Sequence, residues 1–334
     1  MKVFRGISRA IPSSPCALTI GNFDGVHLGH QALLAQVRLA AQRLNLTASV
    51  MTFEPHPREF FAHRAGDPSK APSRIANLRD NMNAMEQAGM EHIIVEHFNA
   101  TFANQSPQEF VEKILVQGLN VKWLMVGEDF CFGAKRAGNI ATLKQAGLDY
   151  GFQVETLATV TNDGLRISSS AVRAALAQGD FVQTQALIGH PYMISGRIVH
   201  GQKLGRTIGY PTLNLRIAHQ HPAVHGVFIV QVHGLAAHPL PAVASIGVRP
   251  TVEDAGRVLL ETHIFDYDLS CYGKLVQIEF LQKIRDEEKF PDLESMIAVI
   301  DNDAAKARAY FTAVRPTLAP ALIPLRTSSA TDRI

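Results

Sequence analysis

Ala17-Leu18-Thr19-Ile20-Gly21-Asn22-Phe23-Asp24-Gly25-Val26-His27-Leu28-Gly29-His30 joins a short apolar run to a glycine-rich turn, and the turn to an amphipathic stretch ending at Leu44. The apolar run reads as a strand and the amphipathic stretch as a helix. The glycines between them let the backbone pass close to a ligand. The same alternation continues along the first half. Further strands are expected at Ala48–Phe53, His92–Glu96, Trp123–Val126 and Phe152–Leu157. Helices are expected at Arg74–Ala88, Pro107–Gln117 and Ile140–Tyr150, and from Ser168 to Gln178. Strands alternating with helices specify an α/β domain with a parallel, Rossmann-like sheet. Ligands of such sheets bind at the carboxyl ends of the strands, which is where the quoted turn lies.

The pattern changes near His190-Pro191. From there short β-rich runs take over, at Met193–Val199, Gly226–Val232, Ala242–Ile246, Leu259–Phe265 and Leu275–Phe280. They predict an antiparallel β-barrel, closed by a helix from Leu293 to Phe311 that Pro291 introduces. The expected domains are 1–186 and 187–314, followed by a disordered tail, 315–334, rich in Pro, Thr, Ser and Ala.

The 334 residues suit two domains. A hydrophobic content of 46% is enough for sizeable cores. Lys and Arg total 32 against 30 Asp and Glu, a net charge of +2 with no basic cluster, so no nucleic-acid partner is expected. Cys16, Cys131 and Cys271 form no CxxC pair, the first residues lack a signal-peptide core, and no apolar run is long enough to span a membrane. The expectation is a cytoplasmic protein without a membrane partner, a monomer or a weak homo-oligomer.

His27 and His30 share one face at a helix start, where free N–H groups and the positive end of the dipole favour phosphate. A two-histidine metal site or a plain helix start are the alternatives, and no third ligand lies at a suggestive spacing. Arg166-Ile167-Ser168-Ser169-Ser170-Ala171-Val172-Arg173 offers Ser168 as an N-cap, further hydroxyls, and Arg173 one turn on. By itself it is an ordinary capped helix. In the second half, Gly201, Gly205 and Gly209 recur every fourth residue and lead into Tyr210-Pro211-Thr212-Leu213-Asn214. This is no Walker A loop. A flexible hairpin would explain the glycines, but the Thr212 and Asn214 oxygens suit a hard cation such as Mg²⁺.

HxGH followed by ISSxxxR resembles the adenylyl-transferring nucleotidyltransferases. The fuller strings GNFDGVHLGH, TFEPHP (52–57), VGEDFCFG (126–133) and ISSSAVR narrow the resemblance to the bacterial bifunctional riboflavin kinase/FAD synthetases. It implies ATP binding by His27, His30, Ser168, Ser169 and Arg173, with Gly21, Asn22, Phe23, Asp24 and Gly25 of the turn also cofactor-binding. It also implies that Gly127, Asp129, Phe130 and Phe132 line the flavin and nucleotide region. In the second half it implies that Gly201, Lys203, Gly205, Gly209 and Pro211 wrap ATP phosphates, while Thr212 and Asn214 hold the metal and nucleotide. Glu261, in Leu260–Asp266, would be the base that takes the proton of the ribityl 5′-hydroxyl. Without the resemblance, a lone strand Glu reads as a solvated face. Two further strings, Ser245–Thr251 and Lys283–Glu287, match the family pattern, and the resemblance implies that Arg249 and Arg285 in them are also cofactor-binding. Where the family commonly has Asp-Leu before Tyr-Gly, this chain has Ser270-Cys271 before Tyr272-Gly273.

The implied activities are phosphorylation of riboflavin by ATP, giving FMN and ADP, in the C-terminal domain, and adenylylation of FMN, giving FAD and pyrophosphate, in the N-terminal one. FMN and FAD are then substrate and product rather than prosthetic groups, and Mg²⁺ accompanies ATP. A nucleotidyltransferase for phosphopantetheine or nicotinamide mononucleotide would need no kinase half. A flavin-binding regulator that had lost catalysis would not need His27, His30, Thr212, Asn214 and Glu261 intact.

Overall fold

The structure is a computed structural model, and it describes residues 1–7, 14–162, 165–201, 204–217, 221–248, 258–267 and 271–313. The expectations for Lys203, Arg249, Ser270 and the tail 315–334 lie outside the described residues. The chain divides into two compact units, Met1–Val172 and Arg173–Ile334.

In the first unit β1 (Lys2–Arg5) and β2 (Cys16–Ile20) are followed by α1 (Leu28–Leu44), β3 (Thr47–Glu54) and α2 (Pro57–Arg64). Then come α3 (Leu78–Gln87), β4 (His92–His97), α4 (Ala100–Ala103) and α5 (Pro107–Glu109), which runs into a π-helical stretch, Phe110–Gly118. β5 (Val121–Gly127), α6 (Ile140–Tyr150) and β6 (Gln153–Leu157) complete the alternation. A short antiparallel pair, β7 (Thr161–Asn162) and β8 (Leu165–Arg166), leads to α7 (Ser169–Gln178), the helix that carries the chain across the boundary between the units.

The six main strands form one sheet in the order β1-β4-β3-β2-β5-β6, and every pairing is parallel. β2 is buried along its whole length, as a central parallel strand is when helices cover both faces. Cys16, Leu18 and Ile20 point to one face, where Ile114 and Leu115 of the π-helical stretch and Leu143 of α6 meet them. Ala17 points to the other, under Leu34 and Val37 of α1 and Met85 of α3. From β2 the chain builds outward through β3 and β4, then returns to place β5 on the other side of β2. The strand order therefore changes direction between β2 and β5, and ligands of such sheets bind outside the carboxyl ends of the strands at a switch of this kind.

The expected helix over Arg74–Ala88 begins only at Leu78. Asn77 caps it, its side chain accepting from the Asp80 N–H at 2.9 Å. The preceding residues are drawn away by Asp24, whose carboxylate accepts from the Ile75 and Ala76 N–H groups, each at 3.1 Å.

In the second unit α8 (Phe181–Ile188) precedes β9 (Met193–Val199), α9 (Leu204–Thr207), β10 (Leu213–Arg216), β11 (Gly226–His233), β12 (Leu240–Val248), β13 (Val258–Ile264) and β14 (Leu275–Arg285). α10 (Leu293–Ala313) closes the unit. The strands form a closed barrel, β10-β13-β12-β11-β14-β9, in which every pairing is antiparallel. Closure removes the exposed edges that a small sheet would otherwise present. β13 shows the strand period directly: Val258, Leu260, Thr262 and Ile264 are buried in the barrel, while Leu259, Glu261 and His263 lie on its outer face. Ala304 and Ala307 of α10 pack with Val227, Ile229 and Val243 of the barrel. The expected architecture, a parallel α/β unit followed by an antiparallel barrel with a closing helix, is the one observed.

Candidate active sites

The first site lies at the switch between β2 and β5. His27 is the N-cap of α1, and its Nδ1 accepts from the His30 N–H at 3.3 Å. In a neutral imidazole one nitrogen accepts and the other donates, so this contact leaves the His27 proton on Nε2. The two rings stack at 3.7 Å, and the His30 ring also meets Phe23 at 4.9 Å. Phe23 is fully buried, and His27 is nearly so. The imidazoles are thus held by packing at a helix N-terminus, the arrangement that suits fixed donors to an anion.

The turn is clamped from outside. Besides the two bonds to Asp24, the Asn81 side chain accepts from the Gly25 N–H at 2.8 Å. Thr52 donates to the Asn22 carbonyl at 3.1 Å. Gly25 has φ +78°, and a Cβ there would lie 2.4 Å from Ile75, so only glycine fits beneath the 74–81 segment. Arg74 anchors that segment and is nearly buried. Its Nη2 donates to Glu54 at 2.9 Å and to Glu59 at 2.7 Å. Burial works against ionisation of Glu59, but the Arg74 hydrogen bond and charge hold it below the usual carboxylate range. Glu54 is pushed up by burial, which outweighs the pull of Arg74.

Three of the strings singled out in the sequence meet at this point. A Cβ built on Gly29 would lie 3.7 Å from the Ile167 carbonyl, so the histidine turn and the serine string are neighbours. Arg166 reaches Asp129 of the loop after β5 at 3.5 Å, with both side chains mostly exposed. Ser168 caps α7 as expected, its hydroxyl accepting from the Ala171 N–H at 3.2 Å, and Ser169 opens that helix. Arg173 lies further along α7, in the second unit. In the loop that begins at Gly127, Phe130 is half-buried and stacks on buried Phe132 at 5.9 Å, and Phe132 reaches Phe110 at 5.2 Å.

The second site is on the outer face of the barrel. Asn214 of β10 is the direct antiparallel partner of Glu261, and Ser245 of β12 is its partner on the other side. Directly opposed residues project to the same face, so the Asn214 amide and the Glu261 carboxylate stand side by side. Thr212 precedes Asn214 by two residues and Gly201 approaches from the end of β9. A Cβ on Gly201 would lie 2.4 Å from Asn214 Nδ2, which explains the glycine. Gly205 closes the turn, its carbonyl accepting from the Tyr210 N–H at 2.7 Å, and Gly209 follows at φ +83°. Asn214 Oδ1 is buried and has no hydrogen-bond partner among the described residues. A buried carbonyl oxygen without a partner among the described residues, and a carboxylate across the ladder, are hard oxygen donors of the kind that Mg²⁺ selects. Among the described residues no group of three or more His, Cys, Asp or Glu offers an alternative metal site.

Two residues that sequence reasoning left unassigned belong to this face. Burial pushes the Glu287 carboxyl up against the opposing charge of Arg285, and the Glu261 charge adds to the rise. His263, two residues beyond Glu261, bonds the Pro211 carbonyl at 2.9 Å. Both sat inside strings already noted, but neither had a partner visible in the sequence. Arg285 itself bonds Asp303 of α10 at 2.8 Å and Glu288 at 3.3 Å, so it fastens the closing helix to β14.

Comparison with known proteins finds a separate family match in each half of the chain. The family model for FAD synthetase matches residues 10–171, and that for riboflavin kinase matches residues 188–311. The chain is 43% identical over 318 residues to the bifunctional riboflavin kinase/FMN adenylyltransferase of Escherichia coli K12, covering 95% of this chain and 100% of that protein. It is 44% identical over 312 residues to the Haemophilus influenzae protein of the same name, covering 93% and 99%. A solved structure from Streptococcus pneumoniae, described as a macrolide-efflux protein, superposes with a TM-score of 0.72 at 28% identity, covering 92% of this chain and 98% of that one. Among the described residues no helix here is long and apolar enough to cross a membrane. With nearly full coverage of both chains at this identity and both family models in order, the chain belongs to the bifunctional riboflavin kinase/FMN adenylyltransferase family.

Proposed function

We propose that residues 187–314 phosphorylate riboflavin and residues 1–186 adenylylate the FMN so formed, both with ATP and both in the cytoplasm. The observation that supports this reading is that the FAD synthetase and riboflavin kinase matches, residues 10–171 and 188–311, fall on successive stretches, each with its own set of candidate phosphate-binding side chains. In the kinase step Glu261 takes the proton of the ribityl 5′-hydroxyl as that oxygen attacks the γ-phosphorus. The bond to the bridging oxygen breaks and ADP leaves. Base catalysis of this kind is worth roughly 10²–10⁴-fold. Thr212 and Asn214 would hold Mg²⁺, whose charge, when bound, screens the phosphates that the hydroxyl must approach. Gly201, Gly205 and Gly209 keep the turn low enough for phosphates to lie against the backbone.

In the transferase step an FMN phosphate oxygen attacks the α-phosphorus of ATP and pyrophosphate leaves. Negative charge grows on the α-phosphoryl oxygens, where His27 Nε2–H and His30 serve as fixed donors. Ser168 and Ser169 at the start of α7 and Arg173 further along it bind the nucleotide phosphates, while Asp129, Phe130 and Phe132 border the flavin. No covalent enzyme intermediate is needed. Phe23, Asp24 and Gly25 act through the shape of the turn, since Phe23 and Asp24 are buried and the Asp24 carboxylate is engaged by backbone N–H groups. The test is incubation of the full chain with riboflavin, ATP and Mg²⁺, with chromatographic separation of the flavins. FMN should appear first and FAD second. Riboflavin left unchanged, or FMN that never becomes FAD, would remove one or the other half of the assignment.

A further inference from the structure

His263 stands where the kinase face would otherwise come apart. The ladder between β10 and β13 pairs Leu213 with Thr262 and Asn214 with Glu261. One step beyond, Thr212 would face His263, but the ladder has ended. Pro211 has no N–H to donate, so backbone pairing cannot hold this corner. The His263 side chain replaces it: Nδ1 lies 2.9 Å from the Pro211 carbonyl. A carbonyl only accepts, so Nδ1 carries a proton and donates whatever charge the ring bears. The ring is seated edge-to-face against Tyr210 at 5.1 Å and against Phe265 at 5.6 Å. Tyr210 in turn donates its hydroxyl to Asp301 of α10. The corner preceding Thr212 is thus tied on one side to the strand that carries Glu261 and on the other to the closing helix.

We propose that His263 is a positioning residue of the kinase: through the Pro211 carbonyl it holds the Thr212 hydroxyl on the same face as Asn214 and Glu261. The proposal rests on the assignment of Thr212 and Asn214 to the cation. It accounts for a histidine two residues from the base that does not itself need to touch substrate. It also makes the tether specific to one ring nitrogen, which a packing role would not.

The experiment compares His263→Phe, His263→Asn and Thr212→Ala in the full chain. Phenylalanine keeps the ring and removes the donor. Asparagine loses the ring but places an amide N–H close to where Nδ1 lies. His263→Phe should raise the Mg²⁺ concentration for half-maximal FMN formation about fivefold, the net worth of one hydrogen bond. The KM for riboflavin, and FAD formation from supplied FMN, should stay at wild-type values. His263→Asn should recover most of the Mg²⁺ dependence. Hydrogen exchange of segment 205–213 without ligands should quicken in His263→Phe and return towards wild type in His263→Asn. Equal impairment of the two variants would overturn the proposal in favour of ring packing. A Mg²⁺ dependence that shifts in Thr212→Ala but not in His263→Phe would also overturn it while leaving the cation site standing. An unshifted Thr212→Ala would overturn the cation assignment and the tether with it.

Discussion

Gly201→Ala tests the kinase face through a single methyl group. Asn214 is almost fully buried, its Oδ1 has no partner among the described residues, and Gly201 lies directly against its amide. A Cβ at residue 201 would sit 2.4 Å from Nδ2, 2.7 Å from Cγ and 2.9 Å from Oδ1. Ordinary contact needs about 3.4 Å or more, so the amide must retreat by roughly 1 Å, since it is wedged between β9 and β13 and cannot simply swing into solvent. A misplacement of that size at a reacting centre costs on the order of 10²-fold in rate. The overpacking itself should destabilise the barrel by about 1–3 kcal/mol. FMN formation at saturating riboflavin should therefore fall about 10²-fold, while FAD formation from supplied FMN stays within a factor of two. The double variant with Asn214→Ala sharpens the test. If the penalty comes from displacing the amide, Gly201→Ala should cost little more once that amide is gone, and the two effects should be strongly non-additive. Kinase activity near wild type in Gly201→Ala, or simple additivity in the double variant, would refute the reasoning.

The other predictions separate the two units. Glu261→Gln keeps the shape of the base but not its basicity, so FMN formation should drop roughly 10²–10⁴-fold with adenylylation of FMN intact. Changing His27 and His30 together to Ala should suppress FAD formation on the order of 10²-fold or more, with FMN formation unchanged and ATP affinity less affected than rate. Arg74→Met leaves Glu54 and Glu59 facing each other without their cation. The loss should be on the order of 3 kcal/mol, the low end for a broken buried pair because Glu54 is partly exposed. Its pH dependence follows from Glu59, whose carboxyl is held low in the fold. That stabilisation is present above the ordinary carboxylate value of about 4.3 and is lost as pH falls through the lowered one. Thermal unfolding should therefore separate wild type from Arg74→Met most at neutral pH and least below pH 4, and a gap that widens on acidification would refute the assignment.

Much of the fold is legible because several local signals agree over a long stretch. α1 and α6 appear where the sequence predicts them, at Leu28–Leu44 and Ile140–Tyr150, since apolar spacing and caps point the same way. The failures occur where a distant residue wins. Arg74 to Ala76 look helical in the sequence, yet Asp24 takes two of their N–H groups and Asn77 restarts the helix, so no local reading could place its start. β10 was hidden inside a glycine signature because it is four residues long and carries a polar side chain at a buried position. α2, Pro57–Arg64, buries only Ala62 and so leaves almost no apolar stripe to read. The π-helical stretch after Glu109 has no sequence signal separate from that of an α-helix.

The sites divide in the same way. The candidate groups His27, His30, Thr212 and Asn214 lie in short strings whose residue types suit the proposed chemistry, whereas Ser168 and Glu261 stand out only through the family resemblance. What holds them in place is found only in three dimensions. Asn214 and Glu261 become neighbours through antiparallel register, and the histidine turn meets the serine string because β5 returns to the far side of β2. Asn81 and His263 touch those turns from other elements through contacts to backbone atoms, and Arg74 anchors the segment over the first turn through carboxylates, contacts that any sequence could supply. A bond to a carbonyl leaves no trace in the identity of its acceptor: Pro211 would read the same whether or not His263 reached it. Candidate residues for acting on substrate are therefore marked by their own chemistry or by the resemblance, whereas residues that aim them are marked only by position.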